Sequence, residues 1–327
     1  MSTAIVCSAD FLASWGPAAG IAVEHLGVEA LILVPGDRRS AAEALGDARA
    51  TVRRLLCLGC APGPVAAWPA LAALGLIDVR LDAESAAAWQ ARGVVVAQPR
   101  NEGFWGQSVA EFALGLTIAA LRRIPQSHAG VRAGDGAWWD YAPRPGSVRC
   151  GQFGDDERFV NGTIHGKRIG VIGLGNIGAR YASWCAMLGA EVQGWDAAAP
   201  DPCFHRSGCR RRHRLEDLVA ECDILAPMVP LRDGTRGLVR ADLIDRLPAG
   251  ALVVLVTRAE VVDVPALRRR VEAGSLALAA DVFDREPLPA DDPLTALPQV
   301  VLTPHNAGRT RDASRSLVAD VLDQWPA

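Results

Sequence analysis

The stretch Gly173-Leu174-Gly175-Asn176-Ile177-Gly178 decides the fold of this chain of 327 residues. It follows an apolar segment, Arg168 to Ile172, that predicts a buried strand. A segment with helical period, Ile177 to Leu188, begins within it. The next predicted strand, Glu191 to Trp195, is followed directly by Asp196. Three glycines at this spacing between a strand and a helix, with an acidic residue after the next strand, are typical of a dinucleotide-binding turn.

Each glycine of this turn has its own physical reason. Gly173 permits the tight turn, Gly175 lets the backbone approach a pyrophosphate, and Gly178 lets the helix pack closely on the strand. The helix N-terminus, which includes Asn176 and Ile177, offers free amides to the phosphates. Asp196 can accept hydrogen bonds from the ribose hydroxyls, and its charge would repel a 2′-phosphate. The sequence therefore predicts NAD, rather than NADP, as the cofactor.

Short apolar strands alternate with helical segments on both sides of the turn. Strands that alternate with helices indicate parallel sheets covered on both faces, and the length allows two domains of ordinary size. We therefore expect an α/β protein with two doubly wound parallel-sheet domains. Besides the two strands beside the glycine turn, strands are expected at 4–7, 30–34, 55–58, 93–97, 223–226, 251–256, 276–279 and 300–302.

Two segments near the middle of the chain are less regular. Ser108-Val109-Ala110-Glu111 has the pattern of a capping box and predicts a helix start, with a domain hinge just before it, near 103–106. Residues 133–163 are rich in glycine and proline, include Trp138 and Trp139, and predict an irregular excursion or a partner-contacting loop. The final segment, 312–325, has helical period.

Composition excludes several classes of function. The formal net charge is −3 without a long basic run, which argues against nucleic acid or a membrane surface as the main partner. The short cluster Arg210-Arg211-Arg212 is expected to be a solvated surface. The longest apolar helical run, Phe112 to Leu121, is too short to cross a bilayer of about 30 Å. Without a recognisable signal peptide, we expect a cytoplasmic protein.

The eight cysteines are expected to be reduced thiols. Cys57-Leu58-Gly59-Cys60 has redox or zinc spacing, but a four-ligand zinc site needs a second pair of ligands. Cys203, His205, Cys209 and His213 could also supply ligands, although they lack the usual finger spacing. No metal is expected at either place.

Three polar residues lie where strands of the C-terminal series end. Arg258 follows the strand that ends at Val256, Glu286 lies after Asp281-Val282-Phe283, and His305 lies in Thr303-Pro304-His305-Asn306. Ligands of open parallel sheets bind beyond the carboxyl ends of the strands. All three are therefore candidate site residues.

On these residues the sequence resembles the D-isomer-specific 2-hydroxyacid dehydrogenase family. The resemblance covers nearly the whole chain and is strongest over 108–313. It implies a Rossmann NAD-binding domain, residues 105–303, inserted into a flavodoxin-like substrate domain, residues 1–104 plus 304–327. The matching segments are the one at Ser108, the glycine turn, Val229-Pro230-Leu231 with Thr235-Arg236-Gly237, Thr257-Arg258 with Val261-Val262-Asp263, Asp281-Val282-Phe283 with Glu286-Pro287, and Thr303-Pro304-His305.

The resemblance implies a role for each site residue. Arg258 would bind the carboxylate and carbonyl of a small 2-oxo or 2-hydroxy acid, and arginine presents a planar fork that fits such a group. His305 would be the acid/base, with Glu286 as the carboxylate that favours its protonated form. Cofactor contacts are implied at Val229, Pro230, Thr257, Asp281 and His305, with Asp281 at the nicotinamide end.

The sequence also departs from the family pattern. Leu255 stands where the family usually has asparagine, and Ala259 stands where it usually has glycine. These departures leave two alternatives open: an oxidoreductase acting on another small oxyanion, such as phosphite or a phosphonate-bearing acid, or a non-catalytic NAD-sensing protein of the same fold. The family also implies a homodimer built through the cofactor domains, with the Ser108 helix and Trp138 and Trp139 near the partner.

Overall fold

The structure is a computed structural model that describes residues 2–100, 103–134 and 156–326. The chain divides into two compact units. The first comprises Met1–Phe104 and Arg309–Ala327, and the second comprises Trp105–Gly308. The second unit is thus an insertion in the first, and it extends past the boundary expected at 303. Trp138 and Trp139 lie outside the described residues.

Twelve strands run through the described residues, the first five in unit 1 and the others in unit 2. They are β1 Thr3–Cys7, β2 Ala30–Ile32, β3 Arg54–Leu58, β4 Ala73–Ile77, β5 Val95–Ala97, β6 Arg168–Ile172, β7 Glu191–Trp195, β8 Arg210–Arg211, β9 Ile224–Pro227, β10 Leu252–Leu255, β11 Ala277–Ala280 and β12 Val300–Leu302.

Eleven α-helices connect and cover these strands in the described residues. They are α1 Ala9–Leu26, α2 Ala41–Leu45, α3 Ala83–Ala91, α4 Gly103–Leu121, α5 Ile124–Ala133, α6 Gly178–Met187, α7 Asp201–Arg206, α8 Leu215–Glu221, α9 Ala241–Ile244, α10 Val264–Glu272 and α11 Arg311–Leu322.

Each unit is built on one parallel sheet. The order in unit 1 is β2-β1-β3-β4-β5, the flavodoxin-like order, and the C-terminal helix α11 returns to pack on this unit. The order in unit 2 is β12-β11-β10-β9-β6-β7-β8, the Rossmann order with an added strand at one edge. The predicted fold class, two doubly wound α/β domains with one inserted in the other, is confirmed.

Burial explains why these segments are strands. The residues of β4, β9, β10 and β11 are buried throughout, as expected for strands that have helices on both faces. In unit 2, apolar side chains form one cluster on each face of the sheet, with Val171, Val254 and Ala279 in one and Ile172, Val253 and Leu278 in the other. The sheet is therefore a rigid platform for the loops at its ends.

Two strands were absent from the sequence prediction. β4 is a strand of the unit 1 sheet between β3 and β5, and β8 adds Arg210–Arg211 to the edge of the unit 2 sheet beside β7. The Arg210–Arg212 segment is therefore not only a solvated surface. The side chain of Arg211 pairs with Asp201, and that of Arg212 pairs with Glu221.

The expected helix start at Ser108 is wrong. Helix α4 begins at Gly103, so Ser108 is already inside it. The hydroxyl of Ser108 donates to the backbone carbonyl of Ala307 at 2.5 Å rather than capping the helix, and the Glu111 carboxylate accepts from the side chain of Gln107. Ser108, the first residue of this motif, thus anchors α4 to the loop that carries His305.

No helix in the described part of the chain combines the length and the apolar character needed to cross a membrane.

Candidate nucleotide-binding and catalytic site

The glycine turn lies at the point where the strand order of unit 2 reverses. Strand β6 lies between β9 and β7, and Gly173 directly follows it. Chain connections leave this point in opposite directions, which opens a crevice beyond the carboxyl ends of the strands. The backbone N–H of Gly173 donates to the carbonyl of Trp195 at 2.7 Å and so ties the turn to β7.

The three glycines meet three different environments. Gly173 has φ +93°, and a Cβ there would lie 2.7 Å from Cγ1 of Val229. A Cβ on Gly178 would overlap the carbonyl oxygen of Gly173, so α6 packs on the turn only with glycine at this position. A Cβ on Gly175 would meet no atom within 4 Å, and Gly175 and Asn176 are exposed. The open space above Gly175 fits a pyrophosphate held by the amides of the turn and of the α6 N-terminus.

This contrast predicts opposite outcomes for two similar substitutions. We expect Gly178→Ala to lower the free energy of unfolding by about 1–3 kcal/mol or more, because the added methyl overlaps backbone. We expect Gly175→Ala to leave stability unchanged but to weaken NADH binding by about tenfold or more, because its methyl enters the ligand space. Thermal melts and NADH fluorescence titration measure the two effects. Unchanged NADH affinity in Gly175→Ala would contradict this placement of the cofactor.

Asp196 follows β7 and holds the glycine turn from the side. Its Oδ2 accepts from the backbone N–H of Leu174 at 2.7 Å, and its Oδ1 accepts from the N–H groups of Ala198 and Ala199, both at 2.8 Å. Partial burial by itself would raise the pKa of this carboxyl, but the three N–H groups and the charge of Arg211 lower it below the usual value. The carboxylate is therefore ionised and already occupied by backbone donors on both oxygens.

His305 and Glu286 are in direct contact. Nδ1 of His305 lies 2.6 Å from Oε2 of Glu286, and the two side chains are 30% and 35% exposed. Oε1 of Glu286 accepts from the backbone N–H of Phe283 at 3.0 Å, which fixes the carboxylate. Partial burial would raise the pKa of Glu286, but the imidazole, the Phe283 N–H and the charge of Arg258 together lower it. Because the carboxylate stays ionised at neutral pH, it orients the ring and leaves Nε2 for a ligand.

Asp281 fixes the loop that presents the imidazole. It directly follows β11 and is fully buried. Its Oδ1 accepts from the Thr303 hydroxyl at 2.6 Å and from the Asn306 N–H at 3.1 Å, and its Oδ2 accepts from the Ala307 N–H at 2.9 Å. These bonds are made by residues before and after His305 in the chain. The backbone of His305 is in the left-handed region, with φ +54°. The resemblance implies that Asp281 contacts the nicotinamide end of the cofactor, and the structure adds hydrogen bonds from Asp281 to the histidine loop.

Arg258 lies three residues beyond the end of β10. It is exposed, and its Nη1 donates to the carbonyl of Thr257 at 2.6 Å. The neighbouring Thr257 is buried, and its hydroxyl donates to the carbonyl of Pro227 at 3.2 Å. The guanidinium is thus attached to the backbone at one nitrogen. It lies near enough to Glu286 to lower the pKa of the Glu286 carboxyl, and its other N–H groups can bind a carboxylate.

The remaining predicted contacts lie at the same edge of the sheet. Val229 follows β9, is buried against Gly173, and is followed by the exposed Pro230, whose carbonyl accepts from the Thr235 hydroxyl at 2.6 Å. All strands of this sheet are parallel, so the residues that follow β6, β7, β9, β10, β11 and β12 share its carboxyl edge. The structure thereby brings the predicted residues to one edge, with Glu286 and His305 in contact.

The two departures from the family pattern are both buried. Leu255 is the last residue of β10 and packs in the apolar cluster with Ile172 and Ala280, and Ala259 packs in the same cluster. Neither residue takes part in the hydrogen bonds of Glu286 or His305. Since the asparagine and glycine that the family usually has are uncharged, the departures remove no charged group from this edge.

Sequence reasoning missed the supporting residues of the site. Thr303, Phe283 and Leu174 each bond a predicted site residue, yet they are ordinary members of the quoted motifs. Their positions beside motif residues are the one signal available in the sequence. Among residues 2–100, 103–134 and 156–326, no group of three or more His, Cys, Asp or Glu side chains could hold a metal ion.

This chain is similar both to curated relatives and to solved structures. A D-3-phosphoglycerate dehydrogenase from Haemophilus influenzae is 30% identical over 217 residues, which are 66% of this chain and 47% of that protein. A crystal structure of a D-isomer specific 2-hydroxyacid dehydrogenase from Xanthobacter autotrophicus Py2 is 27% identical, covers 99% of this chain and 97% of its own, and has a TM-score of 0.65.

An NADPH-dependent glyoxylate/hydroxypyruvate reductase from Sinorhizobium meliloti has the same fold. It is 24% identical, covers 99% of this chain and 95% of its own, and has a TM-score of 0.67. The match to curated relatives is shorter, and this chain covers about a third to a half of their length. For the D-3-phosphoglycerate dehydrogenase of Methanocaldococcus jannaschii the covered share is 36%.

Residues 114–307 match the family described as "D-isomer specific 2-hydroxyacid dehydrogenase, NAD binding domain". This range contains the glycine turn, Asp196, Arg258, Asp281, Glu286 and His305. The chain therefore belongs to the D-isomer specific 2-hydroxyacid dehydrogenase family.

Proposed function

We propose that the protein is an NAD-dependent D-2-hydroxyacid dehydrogenase, which transfers hydride between NAD(H) and a small 2-hydroxy or 2-oxo acid. One observation carries the proposal. The Glu286–His305 pair, on a loop fixed by the buried Asp281, shares the carboxyl edge of the sheet with Arg258 and the glycine turn. This edge combines a proton donor, a carboxylate-binding group and a dinucleotide turn.

Each side chain has one task in this reaction. Bound NADH supplies the hydride, and the protein supplies orientation and charge. Arg258 binds the carboxylate of the 2-oxo acid through its free N–H groups. His305 holds a proton on Nε2 and donates it to the carbonyl oxygen as negative charge develops there, and in the reverse direction it accepts the hydroxyl proton. Glu286 stabilises the imidazolium through its bond to Nδ1.

A spectrophotometric assay tests this function. Purified protein with NADH is mixed separately with glyoxylate, hydroxypyruvate and pyruvate, and with NAD and D-3-phosphoglycerate for the opposite direction. We expect turnover of NADH with at least one 2-oxo acid. Tight NADH binding without turnover of any acid would favour a sensor, and reduction of NAD by phosphite alone would favour an oxyanion oxidoreductase.

The choice between NAD and NADP rests on Asp196. An ionised carboxylate at the end of β7 repels a 2′-phosphate, and its lowered pKa keeps it charged at neutral pH. However, Arg211 lies close enough to affect Asp196, and three backbone N–H groups already occupy the carboxylate. Selection of the cofactor by Asp196 and support of the turn by Asp196 therefore make different predictions.

We expect Asp196→Asn to lower the NAD/NADP ratio of kcat/KM by about tenfold or more, because it removes the charge that repels a 2′-phosphate, whereas any loosening of the turn affects both cofactors equally. Kinetics with both cofactors at matched substrate give this ratio. A role only in holding the turn would weaken both cofactors equally and leave the ratio unchanged. That outcome would refute selection of NAD by Asp196.

We also propose that the protein is a homodimer that pairs through α4 and α5. Ile118, Ile124 and Val131 are exposed on these helices by 36%, 50% and 53%, and all three line one groove. Exposed apolar side chains that are grouped in this way are typical of a protein–protein contact. A second copy of the chain is the partner that the family resemblance implies.

Light scattering after size exclusion tests the dimer. We expect the mass of two chains for the wild type and of one chain for Ile118→Glu with Val131→Glu, because buried charges would oppose association. An exposed position away from this groove, Met187→Glu on α6, is the matched control and should remain dimeric. A monomeric wild type would reject the proposal.

A further inference from the structure

Two cysteines of unit 1 lie in one apolar cluster at the carboxyl end of β3. Cys57 is within the strand and fully buried, and Cys60 follows the strand and is 8% exposed. Both belong to the cluster that includes Val6, Leu74 and Trp68. Their CxxC spacing is typical of redox-active dithiols and of zinc sites. The described residues include no group of three metal-ligating side chains, which leaves the redox alternative.

A fixed turn brings Cys60 back over the strand. Gly59 between the two cysteines has φ +67°, and a Cβ there would lie 2.6 Å from Oγ of Ser8 and 2.7 Å from Cβ of Phe11. The Gly59 N–H donates to the carbonyl of Ile77 at 2.9 Å. Because the turn is packed on one side and bonded on the other, the position of Cys60 is determined by the fold.

The Cys60 sulfur lies at the strand pair that contains Cys57. Sγ of Cys60 lies 3.4 Å from the carbonyl oxygen of Val6 on β1, and Val6 is the register partner of Cys57 across the β1–β3 pair. Both thiols also pack in the same apolar cluster with Val6 and Leu74. The two cysteines therefore meet at the same position of the β1–β3 pair, inside one apolar cluster.

The environments of the two thiols differ in a way that suits a nucleophile and a resolving partner. The hydrogen bond from Cys57 lowers the pKa of Cys60 and outweighs the effect of burial. Burial, followed by the contact with Cys60, raises the pKa of Cys57. Burial likewise raises the pKa of Cys7 to about 11 and those of Cys185 and Cys222 to about 12, so among these five thiols Cys60 alone has a lowered pKa and is the expected site of first attack.

We propose that Cys60 and Cys57 form a reversible redox pair, in which a peroxide oxidises Cys60 and Cys57 then closes an intramolecular disulfide. The Cys60 thiolate attacks hydrogen peroxide, its sulfur gains an S–O bond, the O–O bond breaks, and hydroxide leaves. The Cys57 sulfur then attacks the sulfenic sulfur, and the hydroxyl leaves with the Cys57 proton as water. One peroxide thus accepts two electrons from the two thiols, and a reducing dithiol reverses the reaction.

Peptide mapping of the full, folded chain tests the pair. The protein is treated with stoichiometric hydrogen peroxide, alkylated and cleaved after arginine, which releases residues 55–80 with both cysteines in one peptide. We expect this peptide to be lighter by two hydrogen atoms, to escape alkylation, and to recover both alkylation sites after treatment with a dithiol. The peptides with Cys185 and Cys222 should be oxidised at least about tenfold more slowly.

Single variants assign the two roles. Cys57→Ser should stop at a sulfenic acid on Cys60 that dimedone captures, Cys60→Ser should form neither product, and Cys203→Ser is the matched control and should form the disulfide normally. Cys57→Ala replaces Cys57→Ser if serine in this apolar cluster prevents folding. A disulfide of Cys60 with Cys7, or a Cys60 that stays alkylatable while Cys203 is oxidised, would overturn the proposal.

Discussion

Replacing His305 with asparagine should lower kcat for the 2-oxo acid by about 100-fold or more and leave NADH affinity within about twofold of the wild type. Asparagine tolerates the left-handed backbone found at this position, φ +54°, so the loop geometry is kept. It cannot hold a transferable proton at the position of Nε2. Stopped-flow or steady-state absorbance of NADH gives kcat, and fluorescence titration gives the affinity.

Two further measurements separate acid catalysis from loss of structure. Exogenous imidazole should restore part of the activity of the variant, because a free imidazole can enter the space and donate a proton. His213→Ala removes an exposed histidine of the same unit and should keep full activity. Turnover by His305→Asn close to that of the wild type would show that another group donates the proton.

Replacing Asp281 with asparagine should reduce both activity and stability. The carboxylate accepts three hydrogen bonds, from Thr303, Asn306 and Ala307, and an amide can offer only one oxygen to these donors. At least one buried N–H then faces an NH₂ group, which costs about 1–3 kcal/mol. Because the loop that carries His305 shifts, we expect kcat to fall by about 100-fold as well. Thermal melts and steady-state kinetics measure the two effects.

The matched control is a carboxylate at the opposite edge of the same sheet. Asp223 accepts from the backbone and the side chain of Arg168 at the beginning of β6, far along the strand from the glycine turn. Asp223→Asn should also lower stability but keep kcat. If both variants lost activity only in proportion to the fraction unfolded, Asp281 would be a structural residue without a role in positioning His305.

Much of unit 2 could be predicted because its sequence signals are local. The glycines of the turn are required by the backbone and the neighbouring atoms, as Gly173 and Gly178 show, and β6, β7 and β12 have the expected bounds. The positions of Arg258, Glu286 and His305 after their strands could also be predicted, since parallel strands end at one edge. The contact of 2.6 Å between Glu286 and His305 is the structural counterpart of that prediction.

The failures have physical causes. β4, Ala73–Ile77, reads Ala-Leu-Gly-Leu-Ile and has Ile77 as its one β-branched residue, so its β propensity is weak and its burial in the sheet of unit 1 makes it a strand. Ser108 resembles a cap, but its hydroxyl bonds to Ala307, which is distant in sequence. The bonds of Asp281 and Asp196 likewise depend on loops that meet only in the folded unit.

The most direct test of the central claim follows the hydride itself. NADH carrying deuterium at the transferable position of nicotinamide C4 is incubated with the protein and the 2-oxo acid that it turns over, and the product is analysed by mass spectrometry. The account predicts a D-2-hydroxy acid with one deuterium on C2, and about 100-fold less or still less of it from the His305→Asn protein over the same time. A protein that binds NADH and yields no deuterated hydroxy acid from any acid of the panel would contradict it.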